Sequence, residues 1–405
     1  MADTLALACK PDHVPPHLVF PFDLYNIPGS DEDVQLAYRK VQLSAPEIFW
    51  TPHNGGHWVA TRAEDIQAIH RDFEHFSSHK ILLPVIPDLP TQIPIELDPP
   101  EHGIFRKALM PALLPAAVDK LEPSIRRIAI ETIEQLKPQG HCEFTTDFAK
   151  VLPIHVFFDL VDLPREDLPY LLPLADISVR SPDPKERERA LQAVNDYLDP
   201  WVRARRAQPG SDLLSRIINA ERNGEKILHD EAVRFAGLVL FGGLDTVASM
   251  LGFVARFLAC NPAHRAELAE RLDDAPFVHN AVEELLRRHA TSITARLIAG
   301  DYEYKGVSFR KGDMILPANL FVGMDDRLND NPEKVDFGRS QVRHSTFGGG
   351  AHFCPGATLA RRELKIFLEE WLPRIPDFEV TPGTRPVVTA GLVSGLARLD
   401  LSWKT

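Results

Sequence analysis

The chain has 405 residues, 44% hydrophobic and 25% charged, the proportions of a globular protein that buries a large core without disulfides. Its 45 Lys and Arg against 57 Asp and Glu leave a formal charge of -12, which argues against a nucleic-acid partner. Four scattered cysteines exclude a disulfide scaffold, and the apolar runs read as too short to span a bilayer behind an N-terminus without a secretory apolar region, so a cytoplasmic enzyme with no membrane partner is expected.

In chain order, the first 50 residues are irregular around one helix at 31–43, and a short strand at His57–Ala60 leads into Thr61-Arg-Ala-Glu64, which reads as a capping box. Six prolines between 80 and 100 (Pro84, Pro87, Pro90, Pro94, Pro99 and Pro100) forbid regular helix, and the interleaved apolar residues predict a folded lid. Apolar periodicity then predicts helices near 101–113, 115–137, 144–160, 187–207, 211–222, 229–260, 262–272, 276–289 and 355–373. Short β signals fall at 295–317, where Tyr302-Glu-Tyr-Lys-Gly-Val is hairpin-like, and at 377–403. No βαβ alternation, repeat or linker divides the sequence. The expectation is one domain over 1–405, mostly α with a small β region.

The segment Phe347-Gly-Gly-Gly-Ala-His-Phe-Cys354-Pro-Gly356 carries the most chemistry. Its glycine run implies a sharp turn or a close approach, and Cys354 stands just before a predicted helix, where N–H groups and the helix dipole favour a thiolate. Such a thiolate can be a metal ligand or, beside His352, a nucleophile; a buried structural cysteine is the plainer alternative. Upstream, Gly242-Gly243-Leu-Asp245-Thr246 lies within a long apolar helical stretch. Two mid-helix glycines cost about 1 kcal/mol each against alanine, so they make room for close packing or for a bound group. An acid–alcohol pair on an apolar helix needs partners.

Together these motifs resemble the cytochrome P450 family, haem-thiolate monooxygenases, and within it the bacterial class I camphor-monooxygenase branch. Phe347, Gly350, His352, Cys354 and Gly356 match the family's cysteine loop, Gly242 to Thr246 its distal acid–alcohol motif, and Glu284-Leu-Leu-Arg287 its E-x-x-R pair. The resemblance covers roughly residues 20–403 and implies a triangular helical prism enclosing haem b. It makes Cys354 the iron ligand, with Phe347 in the same loop, and Gly242 and Gly243 an oxygen groove. Asp245 and Thr246 become the proton-delivering catalytic pair. His102, Arg106, Arg296 and His352 are implied to hold the haem propionates, and Glu284, Arg287 and Arg339 to form a structural network.

By the same resemblance the substrate wall comprises Ile81, Gln92, Leu238, Phe241, Ser292, Thr294, Leu392 and Val393, which suits a small apolar, terpenoid-like molecule. The lid lacks the family branch's substrate-binding Tyr, with Pro90 near that place, so camphor is not the expected preferred substrate. With no flavin or nicotinamide motif, electrons are expected from a 2Fe-2S ferredoxin docking near Arg106, Lys107, Arg343, Arg361 and Arg362, with dioxygen as co-substrate. A peroxide-driven haem-thiolate enzyme, a haem-binding sensor and a cysteine hydrolase are the competing readings.

Overall fold

The computed structural model describes residues 7–405; the reading of the first residues as leaderless, where it concerns residues 1–6, lies outside the described residues. The helices are α1 (Val34–Ser44), α2 (Ala63–Arg71), α3 (Glu101–Leu109), α4 (Pro115–Leu136), α5 (Val151–Val161), α6 (Leu168–Arg180) and α7 (Pro184–Ala207) in the first half. The second half adds α8 (Leu213–Ile218), α9 (His229–Leu244), α10 (Thr246–Cys260), α11 (Pro262–Glu270), α12 (Ala275–Arg288), α13 (Asn319–Gly323) and α14 (Ala357–Arg374). Helix takes 51% of the residues and strand 12%, so the chain is mostly α with a small β region.

Local chemistry explains most boundaries. Asp33, Asp183, Asp212 and Asp274 each accept a backbone N–H at the start of α1, α7, α8 and α12, the usual N-cap bond. Thr61 does not cap: its Oγ1 donates to the Glu47 carbonyl at 3.1 Å, and α2 starts at Ala63 without a side-chain cap. The expected helix at 211–222 stops at Ile218, because Asn223 and Gly224 take positive φ (56° and 85°) and turn a hairpin between Glu221–Arg222 and Glu225–Lys226. The expected helix at 144–160 is divided into a π-helical turn, Thr145–Ala149, and α5, behind a short strand at His141–Glu143.

One five-stranded sheet runs in the order Ile48–Thr51, His57–Ala60, Met314–Pro317, Arg296–Ile298, Phe76–Ser77. It sets Arg296 on an inner strand paired with Met314–Pro317. The hairpin at Tyr302–Tyr304 and Val307–Phe309 turns on Lys305 and Gly306, both at positive φ. The apolar core has two parts, one holding the sheet, α10, α12 and α14, the other α5 to α9 and the lid residues Ile86, Leu89 and Ile93. Leu82 of the lid and Leu359 of α14 pack against both.

The stretch His229–Cys260 corrects one expectation. By length and composition it is apolar enough to cross a membrane, yet 61% of its apolar window is buried inside the fold. It is also broken at Asp245, whose φ and ψ of -124° and -37° separate α9 from α10.

Candidate functional site

The cysteine loop is built by its glycines. Gly350 has φ +62°, and a Cβ there would stand 2.1 Å from the His70 carbonyl oxygen, so the loop lies directly on the end of α2. Cys354 N–H donates to the Phe347 carbonyl at 2.8 Å and closes the turn. α14 follows at once, and the N–H groups of Gly356 and Ala357 point at the Cys354 sulfur. Burial raises the Cys354 thiol, opposed by those N–H groups and by Arg106 and Arg361. The N–H groups at the helix start favour the thiolate as expected, while burial works against them; a cationic metal at the sulfur would favour it further.

Across the helix break, Thr246 Oγ1 donates to the Gly242 carbonyl at 3.1 Å, drawing the last turn of α9 onto the side chain. Leu238, Gly242 and Thr246, four residues apart, share one helix face. A Cβ on Gly242 would meet nothing within 4 Å, whereas one on Gly243 would lie 2.3 Å from the Phe157 ring. Gly242 thus opens space beside Thr246, and Gly243 admits α5. Gly243 belongs to helix packing rather than to the expected groove.

Asp245 turns away from solvent and is gripped by Arg180 of α6, Nη1 to Oδ1 at 2.8 Å and Nη2 to Oδ2 at 2.9 Å. Arg180 also donates to Asp176, Ser249 and Thr389. Sequence reasoning missed this arginine. Its helix carries Pro169 and Pro173 and was not among the predicted elements.

A second cluster gathers one buried cation and two imidazoles, none of them in a salt bridge to a carboxylate among the described residues. Arg296 is 4% exposed and donates to the Ala295 carbonyl (2.7 Å), Thr294 Oγ1 (3.1 Å) and His70 Nδ1 (3.3 Å). It has no carboxylate salt bridge among the described residues, and burial lowers its pKa to about 10. The rings of His102 and His352 lie 4.2 Å apart, and burial lowers them to about 4 and about 3. His352 Nε2 is buried without a hydrogen-bond partner among the described residues. A buried cation and an orphaned imidazole nitrogen fit the edge of a haem; so do the open face at Gly242 and the soft sulfur of Cys354.

Beside this cluster, Ser292 forms an antiparallel bridge with Val393, Ile293 N–H donates to the Leu392 carbonyl (2.9 Å), and Ala295 N–H donates to the Ile81 carbonyl (2.9 Å). The structure therefore brings together Ile81, Ser292, Thr294, Leu392 and Val393. Leu238 and Phe241 come from α9. Gln92 sits in the lid, its Nε2 donating to the Pro90 carbonyl at 2.9 Å.

The E-x-x-R pair is fully buried. Arg287 donates to both Glu284 oxygens (2.7 and 2.8 Å) and to the carbonyls of Gly323, Pro332 and Lys334. Arg339 Nε adds a bond to Glu284 at 3.0 Å. A Cβ on Gly323 would stand 2.3 Å from the Arg287 carbonyl oxygen, so α13 approaches α12 as closely as a glycine allows.

A Cytochrome P450 family model matches residues 151–392, more than half of the chain. The chain belongs to the cytochrome P450 family. It is 35% identical over 404 residues to the probable cytochrome P450 127A1 of Sinorhizobium fredii (strain NBRC 101917 / NGR234), covering 97% of this chain and 96% of that protein. The crystal structure of CYP101J2 superposes with a TM-score of 0.89 at 38% identity, over 98% of this chain and 100% of that one. Mycobacterium marinum cytochrome P450 CYP268A2, solved in complex with pseudoionone, gives 0.82 at 27% identity over 91% and 94%. This cytochrome P450 is a haem-thiolate monooxygenase whose cofactor is haem b.

On the Cys354 side of this cytochrome P450, the basic residues fall into two sets. Arg361 is bound to Glu283 (2.5 and 2.9 Å), and Arg362 to Asp119 (2.7 Å) and Glu122. Arg106, Lys107 and Arg343 have no carboxylate partner among the described residues. Arg106 donates to the carbonyl of Phe353, a ring 43% exposed. A cavity of about 450 Å³ opens nearby, with Arg343, Phe347, Phe353 and Arg361 in its wall.

Proposed function

We propose that this cytochrome P450 hydroxylates a small apolar, terpenoid-like substrate with dioxygen and electrons delivered by a 2Fe-2S ferredoxin. Haem b supplies the activation of dioxygen. The residues of the chain supply the rest: Cys354 holds the iron, and His102, Arg106, Arg296 and His352 hold the propionates. Thr246 Oγ1 and the Asp245 carboxylate hand protons toward the space beside Gly242. Glu284, Arg287 and Arg339 keep the Cys354 side assembled. All of these are taken to lie in one haem domain spanning 1–405, working in the cytoplasm.

Two observations carry this reading: a sulfur met by N–H donors at the start of α14, and an alcohol with a neighbouring carboxylate at a break in an apolar helix. The buried cluster of Arg296, His102 and His352, none of them salt-bridged to a carboxylate among the described residues, supports an anionic cofactor edge there.

The wall of Ile81, Leu238, Phe241, Leu392 and Val393 supports an apolar substrate. Ser292, Thr294 and Gln92 offer few polar contacts, and Thr294 and Gln92 are already bonded to Arg296 and the lid. CYP268A2, with its pseudoionone, supports the same size and polarity. For the ferredoxin, Lys107 and Arg343 are the cations free to meet an acidic partner around exposed Phe353, with Arg106, Arg361 and Arg362 contributing through charges that are already engaged. The test is a spin-state titration across terpenoids and cyclic ketones. A low-to-high-spin shift at low concentration with apolar members is expected; a response confined to charged or polar compounds would overturn the substrate class.

A further inference from the structure

Glu283, one residue before the E-x-x-R pair, joins three elements on the Cys354 side. Its two oxygens take Arg361 of α14 in a two-point grip, Nε at 2.5 Å and Nη2 at 2.9 Å. The second oxygen also meets His344 Nε2 at 3.2 Å. The tautomer of His344 follows from its other nitrogen: Thr346 N–H donates to Nδ1 at 3.2 Å, so Nδ1 carries the lone pair and Nε2–H donates to Glu283. Thr346 Oγ1 in turn donates to the Leu286 carbonyl on α12 at 2.8 Å. The Arg361 guanidinium stacks over the Phe347 ring, 4.5 Å from its centre, and the Phe347 carbonyl is the one that accepts from Cys354 N–H.

The network is only partly wet, with the side chains of His344, Glu283 and Arg361 7%, 17% and 30% exposed. Burial alone would raise the Glu283 carboxyl, yet the bonds from His344 and Arg361 hold it at about 2. Arg361 is one of two cations, with Arg106, acting on the Cys354 sulfur.

We infer that Glu283 is a positioning residue that sets the electron-donating strength of the Cys354 thiolate, by fixing Arg361 on Phe347 and offsetting its charge near the sulfur. The inference rests on the reading of Cys354 as the iron ligand. A positive charge left uncancelled near the sulfur favours the reduced, more negative centre, and a negative charge left uncancelled disfavours it.

The experiment is a spectroelectrochemical titration of the holoprotein, free of any redox partner, on E283Q, R361Q, the double variant and E283D. E283Q should raise the reduction potential, R361Q should lower it, and the double variant should return toward wild type. E283D, which keeps the charge, should lie nearer wild type than E283Q. A solely structural role would lower stability without opposite-signed shifts. Equal or same-signed shifts, with the thiolate-type carbon monoxide spectrum retained, overturn this proposal alone. Absence of that spectrum in wild type overturns the Cys354 reading and this proposal with it. If E283Q does not retain haem, R361Q decides by itself: a lowered potential supports the proposal and an unchanged one refutes it.

Discussion

Arg180 holds Asp245 through two parallel bonds, Nη1 to Oδ1 at 2.8 Å and Nη2 to Oδ2 at 2.9 Å, across the gap between α6 and the break in the distal helix. The acid is therefore anchored from a different helix than the alcohol beside it, which bonds to its own preceding turn at Gly242.

The two residues of that pair should fail differently. Asp245→Asn keeps the shape but no longer exchanges a proton, and turnover with a reconstituted ferredoxin system should fall by about 10²-fold. Thr246→Ala should keep NADH consumption while product falls and hydrogen peroxide rises. Measured coupling equal to wild type would remove Thr246 from the relay.

The adjacent glycines make a paired test. Gly243→Ala places a methyl group against Phe157 and should destabilise the protein by about 1–3 kcal/mol in chemical denaturation, relieved by Phe157→Leu. Gly242→Ala meets no neighbour within 4 Å and should leave stability near wild type while altering spin-shift affinities. Equal stability of the two variants would contradict the division of labour between them.

Buried histidines set an acid dependence. Burial lowers His57 and His70 to about 3 from an ordinary 6.5, so they stay neutral when folded and take up protons on unfolding. Their folded values are depressed, so stability is unaffected above pH 6.5 and falls as the pH drops from 6.5 toward 4. Each contributes a slope of about 1.4 kcal/mol per pH unit. His57→Phe should remove one such increment from the denaturation profile between pH 6 and 4. A profile parallel to wild type would refute the assignment.

The lid predicts poor camphor binding. Pro90 stands near the place of the missing tyrosine, and Gln92 spends its amide donor on the Pro90 carbonyl, so a ketone finds no phenol to orient it. Camphor should give a weak, partial spin shift. A full shift at low camphor concentration would count against the lid argument.

Much of this architecture is legible in the sequence because it depends on local patterns. His57–Ala60 is a strand where the apolar run predicts one, and Ala357–Arg374 follows the cysteine loop as its N-terminal signals require. Glu284, Arg287 and Arg339 meet at bond distance although 52 residues separate the last two. What the sequence conceals is set by tertiary partners. Arg180 gives no sign of its role, since its helix is masked by two prolines and its partner lies 65 residues away. The division of the 229–260 helix at Asp245 is invisible to periodicity, which runs unbroken through both halves. Whether Gly242 or Gly243 makes room for a bound group depends on where Phe157 packs, and that is a property of α5. The environment of the Cys354 sulfur sets burial against N–H donors, Arg106 and Arg361, and those partners come together only in the folded chain.

The central claim is that Cys354 binds the haem iron through its sulfur. Reduced protein exposed to carbon monoxide tests it most directly: the account predicts the red-shifted Soret band of thiolate ligation, abolished in Cys354→Ala, and an imidazole-type band in the wild-type protein would contradict it.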